Sequence, residues 1–228
     1  MMRTVVRLIA VAVASAFPLG AAQGALSLSQ LIVELQPGKQ DRLDVEVSND
    51  GAEPAYVEVD PREIVSAGTP SEAPRQDPDP QKLGLLVSPT RMILQPGQRR
   101  LIRIATLDTI GQRERVYRVT VKPVVGKLSS AQSGLKVLLG WDMLVLVRPT
   151  VPNIAVTATR SGNALTFHND GNSSVVLTDG QQCATPGQCT PLPDKRLYAG
   201  ASWTEAVKGS TPVEYTVESV GRSDRRHF

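Results

Sequence analysis

Residues Leu135 to Arg148 read LKVLLGWDMLVLVR, and apolar side chains fall on both parities of this stretch. Leu135, Val137, Leu139, Trp141, Met143, Val145 and Val147 share one parity; Leu138, Leu144 and Leu146 share the other. A strand with one wet face alternates apolar with polar residues. This segment therefore reads as a strand that covers its own core and has apolar surface left to offer to something else. The alternative is a central strand buried on both faces, which also reads as a continuous apolar run.

The rest of the chain supplies the same element type. SLSQLIVEL ends near Pro37-Gly38, and RLDVEVSN alternates through Leu43, Val45 and Val47 before Asn49-Asp50-Gly51. Tyr56, Glu58 and Asp60 alternate with Val57 and Val59, and GLLV, RMIL, LIRIAT and VYRVTV follow, with Pro96-Gly97 marking a turn. The proline-rich stretch Ser66 to Gln81 and the Gly/Ser-containing stretch Gly126 to Gly134 read as loops. Arg148-Pro149-Thr150-Val151-Pro152 closes the long strand as a stiff linker, which places a domain boundary near Thr150. NIAVTATR, ALTFHN, SSVVLT, KRLYAG, SWTEAV and PVEYTVES then form a second, smaller unit. Many short strands separated by turn signals predict an all-β chain of two sandwiches, covering 25–149 and 150–228.

The chain opens with the basic MMRTVVR, an apolar run from Leu8 to Leu19, and Ala22-Gln23-Gly24, a small-x-small cleavage pattern. Residues 1–24 read as a secretory signal removed before Ala25. A retained anchor is the alternative, but the run is shorter than the ~20 apolar residues a bilayer needs. Without Arg3 and Arg7, 23 basic residues face 22 acidic ones, so charge gives no argument for nucleic acid or membrane binding. Arg99, Arg100 and Arg103 cluster, as a solvated strand edge would. In an oxidising compartment, Cys183 and Cys189 of CATPGQC are expected to form a disulfide closing a small loop. No metal site is expected, because His168 and His227 are far from the cysteines in sequence.

Chemistry-bearing motifs are sparse. No phosphate loop, GxSxG or HExxH occurs, and a Ser–His pair would have to use His168 or His227. No enzyme and no cofactor are expected.

Several segments together resemble the periplasmic chaperones of the chaperone–usher pilus pathway. ALSLSQLIVEL looks like their first strand, and VEVSNDGAEPAYVEV like their second and third. LGLLVSPTRMILQPGQRRLIRI has their order of Ser-Pro or Thr-Pro, apolar strand, Pro-Gly turn and basic strand, and is most similar to the alternate (α) fimbrial class. RERVYRVTVKPV and LKVLLGWDMLVLVRP look like the next strand and the long edge strand. HNDGNSSVVLTD and KRLYAGASW resemble the second domain. The resemblance implies two immunoglobulin-like sandwiches set at an angle around a cleft. It also implies periplasmic location, capture of pilus or fimbrial subunits by a lent strand, and delivery to an outer-membrane usher. Alignment on Arg148-Pro149 puts the donor positions on Leu135, Val137 and Leu139, with Trp141 continuing the row. It puts an ion pair between the domains on Glu114 and Arg148, with a third acidic partner expected in the second domain, where Glu218 is adjacent. The family's cleft arginine and lysine, which bind the subunit's C-terminal carboxylate, fall on Ile32 and Leu144. An anchor would then have to use Arg91, Arg118, Lys122 or Arg148. An exposed apolar edge also leaves self-dimerisation open.

Two rival readings remain at this point. A secreted β-sandwich adhesin or pilus subunit would itself need a donor strand, or aromatics for a ligand; three Phe, two Trp and four Tyr supply such a platform poorly. A periplasmic hydrolase would depend on His168.

Overall fold

Alternation in sequence becomes alternation in burial. The computed structural model describes residues 26–107, 111–124, 138–185 and 187–228; the leader, the stretch from Gly126 to Gly134, and Leu135 and Val137 lie outside these. The first half holds β1 (Leu26–Leu28), β2 (Ile32–Leu35), β3 (Arg42–Asn49), β4 (Ala55–Val65), β5 (Ala73–Arg75), β6 (Leu85–Ser88), β7 (Arg91–Leu94), β8 (Arg99–Thr106), β9 (Arg115–Pro123) and β10 (Trp141–Val147). The second half holds β11 (Val156–Ser161), β12 (Ala164–Asn169), β13 (Val175–Thr185), β14 (Gln188–Leu192), β15 (Lys195–Leu197), β16 (Ser202–Ala206), β17 (Val213–Ser219) and β18 (Arg222–His227). A single helical turn, α1 (Pro80–Leu83), precedes β6. The stretch from Ser66 to Gln81, read as loop, thus contains β5 and the start of α1. Asp79 caps α1 by accepting from the Gln81 N–H, and Pro80 needs no N–H partner at the first helical position.

Two sheets face each other in each half. In the first, the order β1-β3-β8-β6 packs on β2-β10-β9-β4-β5, with β7 also on β4. Val45, Val47, Ile102, Ile104, Leu85 and Leu94 meet Val33, Leu35, Val57, Tyr117, Val119, Met143 and Val145 in one core. In the second, β11-β12-β16 packs on β14-β13-β17-β18, with β15 also on β13. There Phe167 stacks on Trp203 at 5.4 Å and meets Tyr215 and Phe228 edge-on. The fold is all-β, two sandwiches. Of the basic cluster on β8, Arg99 and Arg103 lie on the solvent face, where Arg103 grips Asp44 through two 2.8 Å bonds and Arg99 reaches Glu46.

One turn device occurs in both sandwiches. Asn49 Nδ2 donates to the carbonyls of Glu53 and Leu94, and its Oδ1 accepts from the Gly51 N–H. Asn169 Nδ2 donates to Ser173 and Leu197, and its Oδ1 accepts from Gly171. Each asparagine is fully buried and stitches its Asn-Asp-Gly turn to a strand far away in sequence. The partner strand then turns at a glycine whose N–H returns to the same asparagine's carbonyl, Gly97 to Asn49 and Gly200 to Asn169, both at 2.8 Å. Both glycines have positive φ (72° and 78°), which a side chain would disfavour.

The sandwiches are joined at the end of β10. Arg148 is 3% exposed. Its Nε and Nη2 donate to the two oxygens of Glu34 on β2 at 3.2 and 2.7 Å. Its Nη1 donates to Glu114 and to the carbonyl and hydroxyl of Ser174 in the second sandwich. The Ser174 N–H closes the cluster by donating to Glu114 at 3.1 Å. Burial opposes the Arg148 charge, but the Glu114 charge and the Glu34 bonds outweigh it and hold the guanidinium above its ordinary pKa. The expected acidic partner from the second half is replaced: the second carboxylate is Glu34, from the first strand system. Glu218 instead accepts from Thr178, while its neighbour Ser219 donates to the Ser174 carbonyl. A neutral serine suffices because Glu34 and Glu114 already supply the countercharge.

Asn49→Ala and Asn169→Ala should each destabilise their own sandwich by about 2–4 kcal/mol, since each strands several buried backbone groups. Urea unfolding of single-tryptophan variants would read this separately, through Trp141 in the first sandwich and Trp203 in the second. Arg148→Met should cost about 3–5 kcal/mol by leaving Glu114 buried without countercharge. Adding Glu114→Gln should recover part of that loss in a double-mutant cycle; additive losses would show that the two residues are not coupled.

Candidate functional site

β10 has unequal neighbours. It runs antiparallel to β9 along its whole length, from Trp141 opposite Val121 to Val147 opposite Arg115. On its other side it pairs in parallel with β2 only from Leu144 to Val147. The N–H groups of Leu144 and Arg148 donate to the carbonyls of Leu31 and Leu35. Successive residues of a strand direct their backbone groups to opposite edges. Asp142 therefore presents its backbone on the same side as Leu144, beyond the start of β2, where no strand among the described residues pairs with it.

The first chain segment creates this step. β1 belongs to the sheet of β3, and β2 to the sheet of β10, with Ser29 crossing between them. The Ser29 N–H donates to the Glu46 carbonyl, and the Glu46 N–H donates to the Ser29 hydroxyl. The crossover reaches β10 only at Leu144, so the upstream edge is left open.

Apolar side chains line that open stretch. Met143, Val145 and Val147 enter the core, and the same parity continues outward through Trp141 (36% exposed) and Leu139 (62%). The Trp141 indole N–H donates to the Leu26 carbonyl at 2.8 Å, which ties the ring to its own sandwich. Leu139 projects freely. The two share a row; Leu135 and Val137, the other members expected of it, lie outside the described residues.

The other parity of β10 is partly consumed within the chain. Leu144 and Leu146 are buried on the outer face with Val116, Ile64 and Tyr198 of the second sandwich. From Met143 to Val147 the strand is thus buried on both faces, as the alternative reading of the sequence held for the whole segment. Only its upstream part has surface to spare.

Ile32 and Leu144 are direct register partners. Ile32 is exposed and Leu144 buried, so neither offers charge. Of the four cations considered as substitutes, Arg148 is committed to the joint. Arg91 and Lys122 both reach Glu58, at 3.4 and 3.3 Å, and the Lys122 hydrogen bond leads in holding that carboxyl below its ordinary range. Arg118 lies beside Leu144 in register. Arg62, opposite Arg118, and Tyr198 were not singled out from sequence, because strand register and contacts between sandwiches leave no mark in a single chain's residue order.

Cys183 and Cys189 are register partners across the β13–β14 hairpin and form a disulfide. His168 Nδ1 lies 2.8 Å from Ser202 Oγ, and its Nε2 lies 3.3 Å from Asp170. These groups sit on an exposed sheet face, the imidazole and carboxylate side chains 42% and 48% accessible. Water competes for every bond there, and the arrangement is that of a solvated polar network.

Residues 25–153 match the family model of the pili and flagellar-assembly chaperone, PapD N-terminal domain. Among solved structures, the class 5 fimbriae chaperone CfaA aligns with a TM-score of 0.68 at 22% identity, over 89% of this chain and 98% of that one. The E. coli chaperone DraB aligns with a TM-score of 0.59 at 19% identity, over 90% and 98%. A chain from the Salmonella enterica complex of the SafA pilin with the SafB chaperone aligns with a TM-score of 0.60 at 20% identity, over 90% and 96%. No curated protein matches the sequence significantly. The structural likenesses agree with two sandwiches over nearly the whole described chain, and the family match covers more than half of it. The chain therefore belongs to the PapD-like family of pilus-assembly chaperones, which are binding proteins and not enzymes.

Proposed function

We propose that this chain is a periplasmic chaperone that captures pilus or fimbrial subunits lacking one strand, and passes them to an outer-membrane usher. The observation that carries this reading is the half-length pairing of β10 with β2. Among the described residues it leaves backbone donors and acceptors unpaired beside the exposed Leu139. An unpaired edge over apolar side chains is a template for strand addition. A subunit lacking a strand has the complementary defect: an open sheet edge above an open core. Pairing would satisfy main-chain groups on both proteins while alternate side chains of β10 fill the groove.

On this reading residues 1–24 are the export signal, 25–149 the chaperone domain and 150–228 a smaller second domain. The donor row is Leu135, Val137 and Leu139. Trp141 continues it at its inner end, where the indole N–H is already tied to the Leu26 carbonyl of its own sandwich. The ion cluster around Arg148 and Glu114 fixes the angle between domains, and so the space in which a subunit sits. The SafA–SafB structure, which holds a pilin with its chaperone, has a fold like this one and is the kind of complex proposed.

Leu139→Asp tests the reading. Its side chain is largely exposed in the free protein, so folding and the thermal midpoint should be unchanged. In a dry groove the unpaired carboxylate should weaken subunit capture at least about 100-fold. Co-purification from periplasm should yield a one-to-one complex with the native chain and none with Leu139→Asp. Equal capture by both would remove the donor-strand assignment, and self-polymerisation of the native chain would favour a pilus subunit instead.

A further inference from the structure

The joint at Arg148 is one end of a longer seam, and the β4–β5 hairpin forms the other. Glu63, Ile64 and Val65 of β4 pair with Arg75, Pro74 and Ala73 of β5, beyond the stretch of β4 that pairs with β7. The tip, from Ser66 to Glu72, is closed by its own bonds. The Gly68 N–H donates to Glu72 Oε2 at 2.6 Å, the Thr69 N–H to the Ser66 carbonyl at 3.1 Å, and the Glu72 N–H to the Thr69 carbonyl at 3.0 Å. The base is clamped to β9, because Glu63 accepts from both Arg75 and Arg115. The same two arginines donate to the carbonyls of Lys82 and Leu83 in α1. A hairpin braced at tip and base moves as a rigid arm.

This arm touches the other sandwich. Ala67 is buried in the cluster of Val116, Leu144 and Leu146, against which Ile64 and Tyr198 pack. Beside it, Gly68 has a φ of 74°, and a Cβ there would stand 3.0 Å from Tyr198 Cδ2 and 3.3 Å from Ala201 Cβ. Absence of a side chain lets the hairpin backbone lie directly on the turn between β15 and β16. That turn is held in its own sandwich, since the Gly200 N–H donates to the Asn169 carbonyl and the Ala201 N–H to the Tyr198 carbonyl.

The start of β9 fills the interval between arm and ion cluster. The Glu114 N–H donates to the Asn172 carbonyl, and Asn172 Nδ2 donates to the Gln112 carbonyl, both at 2.8 Å. β10, β9 and β4 are successive strands of one sheet. Neighbouring strands lie about 4.8 Å apart, so the contacts extend about 10 Å across the sheet from Arg148 to the hairpin. One point of attachment lets a body swivel about it, whereas contacts spread along a line oppose that rotation.

We infer that the β4–β5 hairpin is a strap that holds the second sandwich at one angle to the first, with Gly68 against Tyr198 and Ala201 as its point of contact. The ion cluster brings the two bodies together and the strap fixes their rotation. It acts in the free chain, whether or not the chaperone reading holds.

The test is a distance measurement by pulsed electron resonance between nitroxide labels on Gln95→Cys and Ser161→Cys. Both positions are exposed, one in the turn after β7 and the other at the end of β11, each at the end of its sandwich away from the joint. The otherwise native chain should give a single narrow distance. Gly68→Asn should lose it, because asparagine tolerates the left-handed backbone and leaves the hairpin formed while its Cβ presses on the Tyr198 ring. Tyr198→Ala should lose it from the other side. Tyr198→Phe should keep it, since the phenol makes no hydrogen bond among the described residues. Trp141 and Trp203 emission should stay native in each variant, which shows that both sandwiches remain folded. A narrow distance retained in both Gly68→Asn and Tyr198→Ala overturns the strap, as does a broad distribution in the otherwise native chain. Loss in Tyr198→Ala alone also overturns it, by assigning the angle to the packing of Tyr198 on Leu144 and Leu146.

Discussion

The joint between the sandwiches depends on the guanidinium at the end of β10. Arg148 draws together the first strand system through Glu34, the start of β9 through Glu114, and the second sandwich through Ser174. The bond to Glu34 holds β2 against the downstream half of β10. The bonds to Ser174 hold the second sandwich by the outer face, where Tyr198 packs against the cluster that contains Leu144 and Leu146. A buried arginine is costly to desolvate and is retained only with good geometry and countercharge. That geometry closes the inner half of β10, while the crossover from β1 to β2 leaves its outer half open on one edge among the described residues.

Much of this was legible in the sequence. Period-two patterning located most of the strands, and Arg148-Pro149 marked where the long one stops. Asn-Asp-Gly occurs in both halves, at Asn49 and Asn169, and the structure gives both copies the same four hydrogen bonds. That repetition is itself a mark, in the residue order, of two copies of one sandwich plan. The stretch from Ser66 to Gln81 hid β5 and α1, because a three-residue edge strand and one helical turn carry too few residues for periodicity to appear.

The candidate site was less legible, for a physical reason. Its parts are brought together by register. That Ile32, Leu144, Arg118 and Arg62 form one row follows from three strand pairings whose offsets a single sequence does not encode. Glu34 is an unremarkable charge in LIVEL until parallel pairing sets it next to Arg148. The doubly apolar character of LKVLLGWDMLVLVR was visible, but its division between an internal contact and an open edge depends on Tyr198, some fifty positions downstream.

The crossover from β1 to β2 also works as a ruler. Because β2 occupies the edge of β10 only from Leu144 onward, its first residue is a physical stop for any strand that pairs upstream. A one-residue slip in pairing would turn every side chain of the guest to the wrong face. A backbone stop guards against that slip without reading any side chain of the guest. Guests with different sequences would then be received in one alignment, and the tolerance for sequence variation would reside in the chaperone's main chain.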